Sequence, residues 1–208
     1  MRSNVTTRTI IAAAASAAVL SGCFSPEVIP VEEYAIRPPA PPAREGGPLP
    51  VNIALERIES RAIYRQKGMT LRPAPTECKE YHGARWVASP GSMMNEALLS
   101  CLGELCNDVT TMPALYRRPL DFLLSVYIDA FDKVRAPNGW TAVARVKYEL
   151  IDAHDRSLIA SGWCTEVQPV TNRDVLSYVT AQNDNVARIC SALAAVLEAE
   201  TAPAAPRD

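Results

Sequence analysis

Apolar and polar positions follow two different rhythms along this chain. Val51, Ile53 and Leu55 alternate with Asn52, Ala54 and Glu56, the period-two signature of a strand. Residues 61–66 and 69–72 predict two more short extended pieces. Over Met93–Cys106 the rhythm lengthens: Met94, Ala97, Leu98, Cys101, Leu102 and Leu105 fall on one side of a helix, with Ser92 as its N-cap. Asn107-Asp108 ends that helix, and Val109-Thr110-Thr111 reads as extended. Period two then returns. Phe122, Leu124, Val126, Ile128 and Ala130 alternate, Asn138-Gly139 marks a turn, and Ala142, Ala144, Val146, Tyr148 and Leu150 oppose Arg145, Lys147 and Glu149. Asp152–Arg156 is a polar turn, and Ser157–Val167 runs back as a third strand. Thr171 with Asp174 resembles a capping box, flanked by Val170 and Val175. It opens a helix to about Ala199, with Val179, Val186, Ile189, Cys190, Leu193 and Leu197 on its apolar side. Strands, a helix, a three-strand meander and a long helix predict an α+β fold. Its sheet is expected to be mostly antiparallel, with the two main helices packed on one face.

The first residues follow no such rhythm. Arg2 and Arg8 precede an unbroken small-apolar run, Ile10–Leu20, too short to span a bilayer but suited to a signal peptide. Leu20-Ser21-Gly22-Cys23 follows at once and looks like the lipobox of bacterial lipoproteins. Cleavage between Gly22 and Cys23 would leave Cys23 to carry a diacylglycerol, with the freed amine open to acylation. Two or three chains anchor a protein stably, at about 0.8 kcal/mol per buried methylene. Phe24 rather than Asp follows the cysteine, which points to the outer membrane. The organisation expected is therefore a signal peptide over residues 1–22 and a lipidated tether over 23–50. A globular domain over 51–199 and a disordered Ala/Pro-rich tail over 200–208 complete it. The tether holds eight of the 17 prolines, and its Glu33–Ile36 segment reads as a short strand.

Composition narrows the function classes. The chain has 208 residues, 48% hydrophobic and 21% charged, with a net charge of −2. That balance fits one globular domain with tails. Loss of Arg2 and Arg8 with the signal peptide takes the charge to about −4, and no basic stripe appears, so nucleic acid is not an expected partner. No GxSxG, HExxH or glycine-rich phosphate loop is present, so neither catalysis nor a cofactor is expected. His154 in Asp152-Ala153-His154-Asp155 reads better as part of a polar turn than as an acid/base cluster. No CxxC accompanies His82 and His154, so no metal site is expected. Cys78, Cys101, Cys106, Cys164 and Cys190 follow Cys23; in an oxidising compartment five thiols leave at least one unpaired in the monomer. Cys78 with Cys101 or Cys106, and Cys164 with Cys190, are candidate disulfides; buried free thiols are the alternative.

Nearly the whole chain resembles the ABC-type transport auxiliary lipoproteins, the lipoprotein partners of Mce-type lipid transport systems such as the paraquat-inducible system. Tyr34 lies where that family has an early Tyr-containing strand, and Met69–Leu71 where it has a strand. Tyr81, Arg85-Trp86 and Pro90 reproduce its Tyr…Arg-Trp…Pro segment before the first helix. Phe122–Phe131, the hairpin around Asp152 and the closing helix follow in the same order. The resemblance implies a non-catalytic subunit anchored at the periplasmic face of the outer membrane. It would meet a periplasmic Mce-domain protein and its ABC transporter, and help lipid pass between the two membranes. Self-association through the edge at residues 33–36 is a further expectation. Arg85 and Trp86 are candidate partner anchors, since both residue types dominate interfaces, or else structural, with Trp86 in the core and Arg85 paired to a carboxylate. Met93 and Met94 read as core gap-fillers or a soft lipid-contacting surface. Two rivals keep the anchor but change the role: a structural lipoprotein of another secretion or assembly machine, and a lipid-anchored hydrolase.

Overall fold

The computed structural model describes residues 30–39, 47–113, 117–171 and 174–201. The signal-peptide expectation, with Gly22 and Cys23, and residues 202–208 of the expected tail lie outside the described residues, whereas residues 200 and 201 end the last helix. From Val31 onward the chain forms one compact unit. Its strands are β1 (Glu32–Tyr34), β2 (Leu49–Leu55), β3 (Glu59–Ser60), β4 (Gly68–Arg72) and β5 (Lys79–Trp86). Helix α1 (Pro90–Leu105) and β6 (Cys106–Thr110) follow, then β7 (Phe122–Ala136), β8 (Gly139–Asp152), β9 (Leu158–Val170) and α2 (Val175–Thr201).

β7 is the spine of the sheet. Along one edge it pairs antiparallel with β8 from Phe122↔Asp152 to Ala136↔Gly139, and β8 pairs antiparallel with β9. The expected meander is therefore present. Gly139, at φ 140°, supplies the backbone conformation that its first turn needs. Along its other edge β7 receives three short parallel strands in succession: β2 at Phe122, β3 at Tyr127 and β4 at Asp132. β5 adds antiparallel to β4, β1 adds parallel to β5, and β6 adds parallel to β2. The sheet is thus mixed and not mostly antiparallel. Hairpin connections fix direction within the meander and between β4 and β5; elsewhere crossovers and the α1 excursion bring strands back in the same direction. β2 shows the consequence, with Ile53, Ala54 and Leu55 all buried, because a parallel strand inside the fold is covered on both faces.

Residues 62–65, expected to be extended, form a single 3-10 turn that seats Tyr64 in the core. α1 starts three residues before the expected Met93. Ser89 is its N-cap, its Oγ accepting the Ser92 N–H at 3.2 Å, and Pro90 occupies the first turn, where its missing N–H costs nothing. α1 ends without a loop, since Cys106 is already extended. The Asp174 carboxylate caps α2 by accepting the Ser177 N–H at 2.7 Å. α2 lies along β8 and β9, and α1 packs on α2 and β6. The core runs between them: the Trp86 ring meets Phe131 edge-on at 5.6 Å and Tyr178 at 5.7 Å. α2 also buries Gln182 and Asn185, whose amides donate to the Val143 and Ala142 carbonyls of β8 at 3.1 and 3.0 Å. Buried amides are tolerated where they find such partners.

Candidate interaction surface

The Arg-Trp segment is β5, and it is mostly structural. Trp86 is fully buried, and its indole N–H has no hydrogen-bond partner among the described residues. Arg85 is exposed and holds Glu33 of β1 through Nη2 at 2.7 Å and Nε at 2.9 Å, so its charge joins two strands. Tyr81 is half-buried, its ring 5.1 Å from the Lys133 ammonium, and Pro90 opens α1. Met93 and Met94 are buried in the core. The segment thus ties β1 and β5 to the core, and Trp86 presents no surface to a partner.

Residues 132 and 133 point to opposite sides of β7 and are both buried. The Asp132 carboxylate accepts from Tyr64 Oη at 2.8 Å and from Arg72 Nε at 2.5 Å. Burial, with the neighbouring Asp132 charge, pushes the Tyr64 phenol up to about 12. Lys133 lies among the Tyr81, Trp140 and Tyr178 rings, and burial lowers its pKa. These clusters sit too deep to meet a macromolecule.

The accessible candidate lies on the meander. Register places Leu158, Trp163 and Val167 on one face of β9, opposite Ile151, Lys147 and Val143 of β8. All three are exposed, at 59%, 49% and 51% respectively. The Arg145 guanidinium lies 4.2 Å from the Trp163 ring, within cation–π range. Arg145 also approaches Asp129 at 3.7 Å, and Asp129 holds Arg61 at 2.5 Å. Asp129 is the extra residue of a bulge between Ile128 and Ala130, which frees its side chain to reach both cations. The far edge of β9 carries no partner strand among the described residues. An Arg–Trp pair is therefore exposed, but it is Arg145 with Trp163 across two strands rather than the dipeptide at 85 and 86. The available signal was the alternation of β9, which puts Trp163 on the face opposite buried Cys164.

A second feature is a cleft of about 370 Å³ between residues 36–39, α1 and α2, lined by Ile36, Pro39, Glu96, Cys101 and Cys190 among others. The Arg37 N–H donates to Asn183 of α2 at 2.6 Å and holds that segment in place. The described cysteines are all free thiols. Cys78 is exposed, whereas Cys101, Cys106, Cys164 and Cys190 are buried. The expected partners are not bonded; the thiols that interact with each other are those of Cys101 and Cys190. Burial pushes the Cys106 thiol up to about 12 and raises Cys164 as well. Among the described residues no three His, Cys, Asp or Glu side chains gather as metal ligands, and no helix is long and apolar enough to cross a membrane. His154 belongs to a turn in which its N–H donates to Asp152 at 2.7 Å.

A family model described as the ABC-type transport auxiliary lipoprotein component matches residues 34–194. No curated protein matches the chain. Among solved structures, protein XCC0632 from Xanthomonas campestris, of family DUF330, superposes with a TM-score of 0.71 at 18% identity. The match covers 80% of this chain and 94% of that one. The hypothetical protein CT253 from Chlamydia trachomatis gives a TM-score of 0.51 at 13% identity, over 74% of this chain and 98% of its own. At these identities the likeness is one of fold.

Proposed function

The chain belongs to the family of ABC-type transport auxiliary lipoprotein components, and from that premise we propose a non-catalytic accessory subunit of an Mce-type lipid transport system. Cys23 carries the lipid and holds the protein at the periplasmic face of the outer membrane. The residues between Cys23 and β1 link the anchor to the domain, since residues 32–39 already pack within the fold; an extended chain of that kind spans roughly 3.1 Å per residue. The domain docks on the periplasmic subunit of the transporter and helps complete a route for phospholipid-like molecules. The observation that carries this reading is the family match across residues 34–194, which takes in every strand of the meander and most of α2.

We assign the partner contact to the outward face of β8 and β9 around Trp163 and Arg145. A half-exposed Trp stacked by Arg combines the two residue types most often found as interface anchors. The edge of β9 beside them, which pairs with no other strand among the described residues, offers backbone groups to the same partner.

Affinity purification from solubilised membranes, followed by mass spectrometry, tests the role. Recovery of an Mce-domain protein with its ABC subunits, weakened by Cys23→Ala, is expected. Recovery of secretion or outer-membrane assembly components instead, or of nothing specific from either form, would overturn it.

A further inference from the structure

We propose that Cys101 on α1 and Cys190 on α2 form a dithiol that an external disulfide oxidises to a cystine joining the two helices. The two residues come from opposite halves of the chain, and the packing of α1 on α2 brings them together. Both are buried, at 2% and 4% exposure, yet both line the same cleft. Glu96, Ser100 and Ser191 also line that cleft, so it combines polar walls with the two sulfurs and gives a disulfide reagent a route to them.

The cleft and the packing of α1 on α2 place the two side chains near enough for their thiols to interact. The interaction with Cys190 eases ionisation of Cys101, while the interaction with Cys101 and burial oppose that of Cys190. Cys101 is therefore the first attacker, because exchange proceeds through the thiolate. It loses its proton, attacks one sulfur of the external disulfide, and releases the other half as a thiolate that takes up a proton. Cys190 then loses its proton and attacks the Cys101 sulfur of the mixed disulfide, forming the Cys101–Cys190 bond and expelling the second external thiol. One external S–S bond and two protein S–H bonds become two external S–H bonds and one protein S–S bond. The oxidant is a disulfide-bearing protein or small molecule of an oxidising compartment, so the reaction in cells rests on the envelope location proposed above. Cys106, at the end of α1, is buried and does not line that cleft, and exposed Cys78 is open to mixed disulfides with any external reagent.

The test begins with the reduced full chain exposed to oxidised glutathione. Remaining thiols are alkylated in denaturant and the digest is read by mass spectrometry. The peptides bearing Cys101 and Cys190 are expected as one linked species in the wild type, absent from Cys101→Ser and from Cys190→Ser. Recovery of both cysteines alkylated, both carrying separate glutathione adducts, or either one linked to Cys106 or Cys164 overturns the proposal. The same trapping on acid-quenched cells reads the compartment separately. The link in the tube with two free thiols in cells would uphold the pair and contradict the envelope location; the link in both supports the two together.

Discussion

The two edges of β7 are held by different means. Its β8 edge is one continuous antiparallel ladder, interrupted by a single bulge and closed by a short turn at residues 137–138. Its other edge is a patchwork in which β2, β3 and β4 each cover only two or three residues. A ladder laid down by a tight turn needs little help from side chains. A patchwork of short strands does, and the clamps lie there: Trp86 between Phe131 and Tyr178, Tyr64 and Arg72 on Asp132, and Asp121 accepting the Asn52 N–H at 2.7 Å. One region is stabilised mainly by backbone pairing and an amphipathic helix, the other mainly by individual buried side chains. The regular region is then free to present its outer face to a partner.

The largest break in this contrast comes from Trp86→Ala. It removes the ring that joins β5 to β7 and α2, and should cost about 4 kcal/mol in urea unfolding. Trp86→Phe should cost only about 1–2 kcal/mol, because the indole N–H makes no hydrogen bond that would be lost.

The Tyr64 clamp gives the next effect, through pH. The unfolded phenol ionises near 10 and the folded one at about 12, so the folded state keeps its proton longer. Its contribution is complete below pH 10 and disappears as pH rises towards 12, by roughly 2 kcal/mol. The difference in unfolding free energy between wild type and Tyr64→Phe, measured at pH 9 and again at pH 11.5, should shrink by about that amount. A constant difference would mean that the hydroxyl is not held as described.

In the meander the corresponding break is at the turn. Gly139→Ala meets no atom within 4 Å of the added Cβ, so its cost is that of the backbone at φ 140°, about 1–2 kcal/mol. The smallest stability effect belongs to Trp163→Ala, within about 0.5 kcal/mol, since the ring is half-exposed. Recovery of the transporter subunit should nevertheless fall several-fold, a separation of stability from binding that a core residue would not give.

Legibility in the sequence divides along the same line. β7, β8, β9 and α2 were readable because their period and turns are local: Asn138-Gly139 and the Asp152 turn act within a few residues, although the cap of α2 is Asp174 itself and not the expected Thr171. The parallel attachment of β2, β3 and β4 was not, because no local turn records which distant edge a short strand joins. β5 escaped recognition as a strand since Lys79–Trp86 lacks clean alternation and contains Gly83 at positive φ. The start of α1 was displaced because the capping residue lies ahead of the first apolar repeat, at Ser89-Pro90. Candidate chemistry followed the same rule. Adjacent Arg85-Trp86 drew attention in the sequence and proved to be a strand link beside a core ring. Arg145 with Trp163, and Cys101 with Cys190, are pairs that only register and helix packing bring together.

Site-specific photo-crosslinking in living cells tests the central claim most directly, with a photoreactive phenylalanine analogue at position 163 and, separately, at position 85. The account predicts that the probe at 163 captures a periplasmic subunit of an ABC transporter while the probe at 85 captures none. Capture of that subunit from position 85 alone, or of a different envelope machine from position 163, would contradict it.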